Sequence, residues 1–216
     1  MISKYGYDVV GAVIIVVVLG SAISWYVVEW KLFKFALIVG LLLFLIFTLN
    51  FFRDPDRVTP PGDGLVISPA DGRVVLIKEV REDEYLKGEA IQISIFMSPL
   101  NVHVNRHPIN GTVEYYKYFP GSFFAAFEEK SSLRNEQAHI GLINDKMKVL
   151  LKQIAGFVAR RIVTHVQVGD AAVAGERFGM IKFGSRVDVL MPRGTTLKVT
   201  LGDRTVAGET VLAAAS

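Results

Sequence analysis

Four side chains in this sequence stand where bond-making chemistry is possible: Ser185, His103, His107 and Asp71. Ser185 follows Gly184 inside FGMIKFGSRVDVLMP, residues 178–192, where apolar and polar residues alternate on both sides. That alternation is the period of a half-buried strand. A strand interior favours neither glycine nor serine. One reading of Gly184-Ser185 is a β-bulge. The other is chemical. A serine hydroxyl can attack the carbonyl that precedes it and move the acyl group from nitrogen to oxygen. Glycine leaves that approach open and tolerates unusual backbone angles. The surrounding KFGSRVD lacks the G-x-S-x-G elbow, so it is unlike an α/β-hydrolase nucleophile. Asp188 comes three residues later and, in a strand, faces away from Ser185.

His103 and His107 lie in SPLNVHVNRHP. Four residues apart in an extended segment, they point to one face. Such a pair suits proton transfer or metal binding. A metal would need further ligands, and this segment offers none, so no metal is expected. The bland alternative for each is an ordinary histidine. His139 and His165 are isolated and read as structural. Asp71 sits in SPADGRV, where Asp-Gly signals a hairpin turn and an aspartate often bonds only its own backbone.

These residues need a scaffold, and the turn signals outline one. After the Pro-, Gly- and Asp-rich stretch FFRDPDRVTPPGDG come short β-type runs: LVISPADGRVVLIKEV, AIQISIFMS, VHVNRHPINGTVEYYKYF, MKVLLKQIAGFV, RIVTHVQVGDAAVAGERFGMIKFGSRVDVLMP and TLKVTLG. Pro69-Ala-Asp-Gly72, Asn110-Gly111, Gly169-Asp170, Pro192-Arg-Gly194 and Gly202-Asp203 separate or interrupt them. The expected fold is mostly β within the α+β class: an antiparallel sandwich or partly closed barrel. One helix is expected over Ser122 to Glu136, capped by Ser122.

The N-terminus is different. Val9 to Val28 and Phe35 to Phe52 are apolar runs without a charge, each near the ~20 residues that span a bilayer. The link EWKLFK, Glu29 to Lys34, carries every charge between them. The expectation is a membrane hairpin over residues 1–52 and a β-rich domain over 53–216. Trp25, Tyr26 and Trp30 suit an interface, and Lys4, Arg53 and Arg57 favour the cytoplasmic side, against Lys31 and Lys34. The alternative is a pair of buried helices in a soluble core. The chain has no cysteine, which excludes disulfides and thiolate chemistry. Its net charge of +3 suits an anionic membrane surface. No basic-aromatic interleaving supports nucleic-acid binding.

FFRDPDR, PADGRV, FMSPLNVHVNRHP, YFPGSFFAAFEEKS and VGDAAVAGERFGMIKFGSRVDVLMP, in that order, resemble the pyruvoyl-dependent phosphatidylserine decarboxylases. The resemblance covers almost the whole chain and the short membrane segment of the compact form. It implies a proenzyme that cuts itself between Gly184 and Ser185 into a β chain, 1–184, and an α chain, 185–216. Ser185 attacks the Gly184 carbonyl, the ester eliminates to dehydroalanine, and hydrolysis leaves a pyruvoyl group and ammonia. That group forms a Schiff base with phosphatidylserine, carbon dioxide leaves, and phosphatidylethanolamine is the product. Asp71 matches the family's aspartate. His103 matches the first histidine of the family's Y-H-x-x-H, with Val102 in the Tyr position. Arg106 stands where the second histidine is expected and His107 one residue later, so either histidine can be the base or the proton donor. Phe123, Phe124 and Phe127 are candidates to line an apolar substrate site, or they pack one face of a helix. The implied partners are the lipid substrate, a membrane, and the two chains of one precursor, with a homodimer left open.

A rival reading compares PADGRV and VGDAAVAGE with biotinyl or lipoyl carrier domains in a membrane-anchored adaptor, with Lys182 of MIKF as the modified residue. Carrier lysines sit at exposed hairpin tips, and Lys182 is followed at once by Gly184-Ser185 and another strand.

Overall fold

The computed structural model describes residues 1–121, 135–156, 161–182 and 185–215. The chain divides into two compact units, Met1–Pro55 and Asp56–Ser216.

The first unit is a helical hairpin. Helices α1 (Tyr7–Val27) and α2 (Lys31–Phe51) have 21 residues each. At 1.5 Å per residue each is about 32 Å long, enough for a hydrocarbon core of about 30 Å. The two ends of the hairpin meet: Ile2 pairs with Arg53, and the Asp54 amide donates to the Met1 carbonyl at 2.8 Å. At the turn, Lys34 Nζ donates to the Trp25 carbonyl at 2.7 Å, which satisfies an orphan acceptor at the end of α1. Trp25 meets Phe35 edge-on at 6.3 Å. Large apolar side chains such as Ile15, Leu19, Ile23, Phe35, Leu43 and Ile46 stand exposed around both helices.

The second unit is built of strands. They are β1 (Leu65–Ile67), β2 (Gly72–Glu82), β3 (Gly88–Met97), β4 (Val104–Arg106), β5 (Gly111–Phe119), β6 (Gln137–Ile143), β7 (Lys148–Ala155), β8 (Arg161–Thr164), β9 (Ala171–Ala172), β10 (Arg177–Lys182), β11 (Ser185–Pro192), β12 (Thr196–Leu197), β13 (Arg204–Thr205) and β14 (Val211–Ala214). A curled half-barrel of eight antiparallel strands runs β13-β2-β3-β11-β7-β6-β5-β9. Two three-stranded sheets accompany it, β1-β14-β12 and β4-β10-β8. The mostly β, antiparallel expectation therefore holds. The helix expected over Ser122 to Glu136 lies outside the described residues except at its end, where Asn135 and Glu136 are not helical.

Alternation explains the core. On β3 the residues Ile93, Ile95 and Met97 face inward, and in β11 Ser185, Val187, Val189 and Met191 pair across on the same face. The opposite face of β11 carries Arg186, Asp188 and Leu190, and Leu190 packs with Tyr85 and Leu150. Gly72 and Gly141 show why glycine is required on this scaffold. A Cβ on Gly72 would run into the Phe96 carbonyl of the paired strand, and one on Gly141 would meet the stacked rings of Tyr85 and Tyr115 at 2.6–2.8 Å.

Candidate functional site

Ser185 opens β11 and is fully buried. It pairs with Met97 of β3 on one side and Ala155 of β7 on the other. Its hydroxyl donates to Met97 Sδ at 3.3 Å. Thioether sulfur is a weak acceptor, so the hydroxyl is held in place without being strongly stabilised. The strand before it, β10, belongs to a different sheet, where it pairs with β4 and β8. The interruption at Gly184-Ser185 is thus the point where the chain passes from one sheet to another, rather than a bulge inside one strand. Gly184 itself lies outside the described residues, as do Phe123, Phe124 and Phe127.

His103 is fully buried at the start of β4. Its backbone carbonyl accepts from the Ile181 amide of β10 at 3.3 Å, one residue before the last residue of that strand. Its Nδ1 lies 2.9 Å from the Asn101 carbonyl. A carbonyl only accepts, so Nδ1 carries the proton and the basic lone pair resides on Nε2.

His107 has other surroundings. Its ring leans on Phe178 at 5.0 Å, and its Nδ1 is buried without a hydrogen-bond partner. Burial pulls its pKa down to about 4, with Asp170 pulling weakly the other way. His139 is similar: its ring meets Phe119 at 4.6 Å, and burial, aided by Lys152, lowers it to about 4. Both rings are neutral at physiological pH. The unfolded chain protonates them near 6.5. Between 6.5 and 4 the unfolded state therefore binds more protons, and stability falls as pH falls, by up to roughly 3 kcal/mol for each histidine. The detergent-solubilised protein should show a melting midpoint that drops across this window. His107→Phe, which keeps a ring against Phe178, should flatten part of the drop; an unchanged slope would mean that His107 is not held neutral.

Asp71 lies in the PADG turn, and its bonds reach beyond the turn's own backbone. Its carboxylate takes Arg57 Nη2 at 3.0 and 3.2 Å and the Ala207 amide at 2.7 Å. Arg57 also approaches Glu209 at 3.6 Å. These bonds tie the turn to the Pro-rich linker and to the C-terminal segment, and none of them goes to Ser185 or His103. Asp188 faces away from Ser185, as the strand parity requires. It is paired twice with Arg186, at 2.8 and 3.1 Å, and accepts from Gln92 at 3.1 Å. Both partners of the pair are 3% exposed.

Three site residues escape the motif reading: Met97, Asn105 and Gln153. Asn105 and Gln153 are fully buried on the side that holds Ser185. Neither carries a signal in the sequence: Asn105 stands among the polar residues of HVNRH, and Gln153 follows Lys152. Lys182 ends β10 opposite Arg161 rather than at a hairpin tip.

Fold and site together define a β-sheet protein whose buried serine opens a strand at the junction of two sheets. A family model described as phosphatidylserine decarboxylase matches residues 44–213. A phosphatidylserine decarboxylase proenzyme of Chlorobium phaeovibrioides is 54% identical over 171 residues, 79% of this chain and 78% of that one. The proenzyme of Symbiobacterium thermophilum is 44% identical over 213 residues, covering 98% and 94%. That of Pelodictyon phaeoclathratiforme is 43% identical over 213 residues, covering 99% of each. The chain belongs to the phosphatidylserine decarboxylase family. The carrier reading is left without support.

Proposed function

We propose that the chain is a membrane-anchored proenzyme that cuts itself between Gly184 and Ser185 and then decarboxylates phosphatidylserine to phosphatidylethanolamine and carbon dioxide. Family membership supports the reaction. The observation that carries the self-cleavage is the position of Ser185: a buried hydroxyl, weakly held on Met97, at the first residue of a strand where the chain changes sheets.

The roles follow from the surroundings. Ser185 Oγ attacks the Gly184 carbonyl; an oxygen–carbon bond forms and the carbon–nitrogen bond breaks, leaving an ester with the freed amine still on residue 185. β-Elimination of the Gly184 carboxylate then cuts the chain, and hydrolysis of the dehydroalanine left behind releases ammonia. The hydroxyl proton needs a base. We assign it to His103, whose Nδ1 is engaged with Asn101 and whose basic nitrogen is therefore Nε2. His107, neutral and tilted against Phe178, serves the wall of the site and ranks second as a proton carrier. Asp71 completes the set on the family pattern, and its bonds to Arg57 and Ala207 anchor the turn that presents it. The residues at Ser185 suit a pyruvoyl group: Met97, Ala155 and Val187 make a dry, apolar setting that favours loss of a charged carboxylate. Made from Ser185, that group would supply the electron sink for decarboxylation.

The two apolar helices, exposed over most of their surface, give the substrate a reason to meet the site. We place them in the membrane, with the β-rich domain on the cytoplasmic face.

Purified protein should run as two chains on a denaturing gel, 1–184 and 185–216. Mass spectrometry should find a pyruvoyl cap on the smaller. A single uncut chain in folded protein would overturn the reading.

A further inference from the structure

Asn105 is fully buried in β4, two residues after His103. Its Nδ2 donates to the Pro69 carbonyl at 3.3 Å and approaches Met97 Sδ at 3.8 Å. Its Oδ1 accepts from Gln153 Nε2 at 2.8 Å. Gln153 Oε1 in turn accepts from Thr164 Oγ1 at 2.7 Å. The Pro69 oxygen can only accept, which decides the end of the Asn105 amide that faces it.

This chain of side chains meets every segment that the proposed mechanism needs. Pro69 lies two residues before Asp71. Met97 is the partner of the Ser185 hydroxyl. Gln153 stands opposite Val187, two residues after Ser185. Thr164 stands opposite Gly179 of β10, the strand that leads into the cleavage junction. Asn105 shares its segment with His103.

An amide pair is an expensive way to fill this space. The neighbours on the same face, Leu151, Ala155 and Val187, are apolar. Burying an amide is costly unless it is hydrogen-bonded. Bonded, it recovers the loss and adds direction, which an apolar side chain cannot supply. The pair therefore contributes orientation rather than stability.

We propose that Asn105, held by Gln153, is a positioning residue that locks the PADG turn and the HVNRH segment against the strand opened by Ser185. The inference rests on the self-cleaving reading above. Its prediction is a separation of stability from chemistry, because a misplacement of about 1 Å costs a reaction on the order of 100-fold in rate.

The test is the double variant Asn105→Leu/Gln153→Leu in the full chain. Removing both amides leaves little orphaned: the Pro69 carbonyl keeps its bond from the Arg106 amide at 3.0 Å, and Thr164 is half-exposed and can reach water. Replacing both partners of a buried hydrogen bond is close to neutral for stability. The melting midpoint should therefore stay near that of the unaltered protein. Self-cleavage, followed on a denaturing gel from the start of synthesis, should slow at least ~10-fold. On the fraction that has been cut, kcat should fall while KM holds. A double variant that folds and cuts at the unaltered rate overturns the proposal. If the double variant fails to fold, Gln153→Met decides. It frees Asn105 from its anchor but leaves the bond to Pro69, so it should also slow cutting, at a midpoint lowered only by the orphaned Asn105 Oδ1, and cutting at the full rate overturns the proposal. If the unaltered protein does not cut at Gly184-Ser185, the functional reading fails, and that result is distinct from either variant's.

Discussion

Ser185→Ala protein should run as one chain of 216 residues and release no carbon dioxide from phosphatidylserine. The change removes one oxygen from a fully buried position and leaves the backbone pairs to Met97 and Ala155 intact. The lost bond is weak, a hydroxyl on a thioether at 3.3 Å, so the fold should keep its melting midpoint within a few degrees. Both activities should disappear together, since the same atom is the nucleophile and the source of the reactive group. Cutting that persists in Ser185→Ala protein would assign the nucleophile elsewhere. Carbon dioxide release without cutting would remove the proenzyme step from the mechanism. Either result can be read on one gel and one radiolabelled substrate assay.

The second large effect is expected on the other face of the same strand. Arg186 and Asp188 are each 3% exposed and joined by two bonds. Burial pushes the Asp188 carboxyl up, even with Arg186, Ser94 and Lys152 pulling it down. Desolvation therefore outweighs attraction at this site. Such a pair adds little net stability, yet breaking it is costly, because the surviving charge stays buried without its counterion. Asp188→Leu should lose about 3–5 kcal/mol in chemical denaturation of the detergent-solubilised protein. Arg186→Met/Asp188→Leu should recover most of that loss. A double variant as unstable as the single would show that the pair contributes its own attraction.

Much of the fold was legible because burial on one face writes itself as alternation. β2 and β3 were expected from this pattern. β11 was expected too, although both its faces are buried, because the charges of Arg186 and Asp188, paired with each other, keep its alternation visible. β6 was not. In QAHIGLI the residues from Gln137 to Leu142 are all buried, so both faces are covered and no period of two survives. Gly141 lowers its strand character further, for a reason that lies elsewhere in the chain: the Tyr85–Tyr115 stack passes over it. β14 was missed as well, since VLAA is short and ends the chain. The passage between sheets at Gly184-Ser185 could not be read, because alternation says nothing about which sheet a strand joins.

The site divides in the same way. Ser185 and His103 stood out by residue type and motif. Parity put His103 and His107 on one face, but it could not say that His107 would be sealed against Phe178 while His103 meets Asn101. The partner of Asp71 was hidden because Arg57 lies in the proline-rich linker, 14 residues upstream. Gln153 sits beside Lys152, and two adjacent polar residues in a strand leave the buried one unmarked. Only the packed structure separates them: Gln153 turns inward to Asn105, and Lys152 pairs across to Asp188 on the other face.

β11 runs between β3 and β7 in the middle of the eight-stranded sheet, and the chain after it also supplies β13 to that sheet and β12 and β14 to another. A cut before Ser185 would leave that tail with no covalent tie to the rest, yet clasped on both edges. It could not be shed or exchanged without unfolding its host. A molecule whose reactive end had been spoiled would then be beyond repair by a fresh tail, and the cell would have to replace the whole protein.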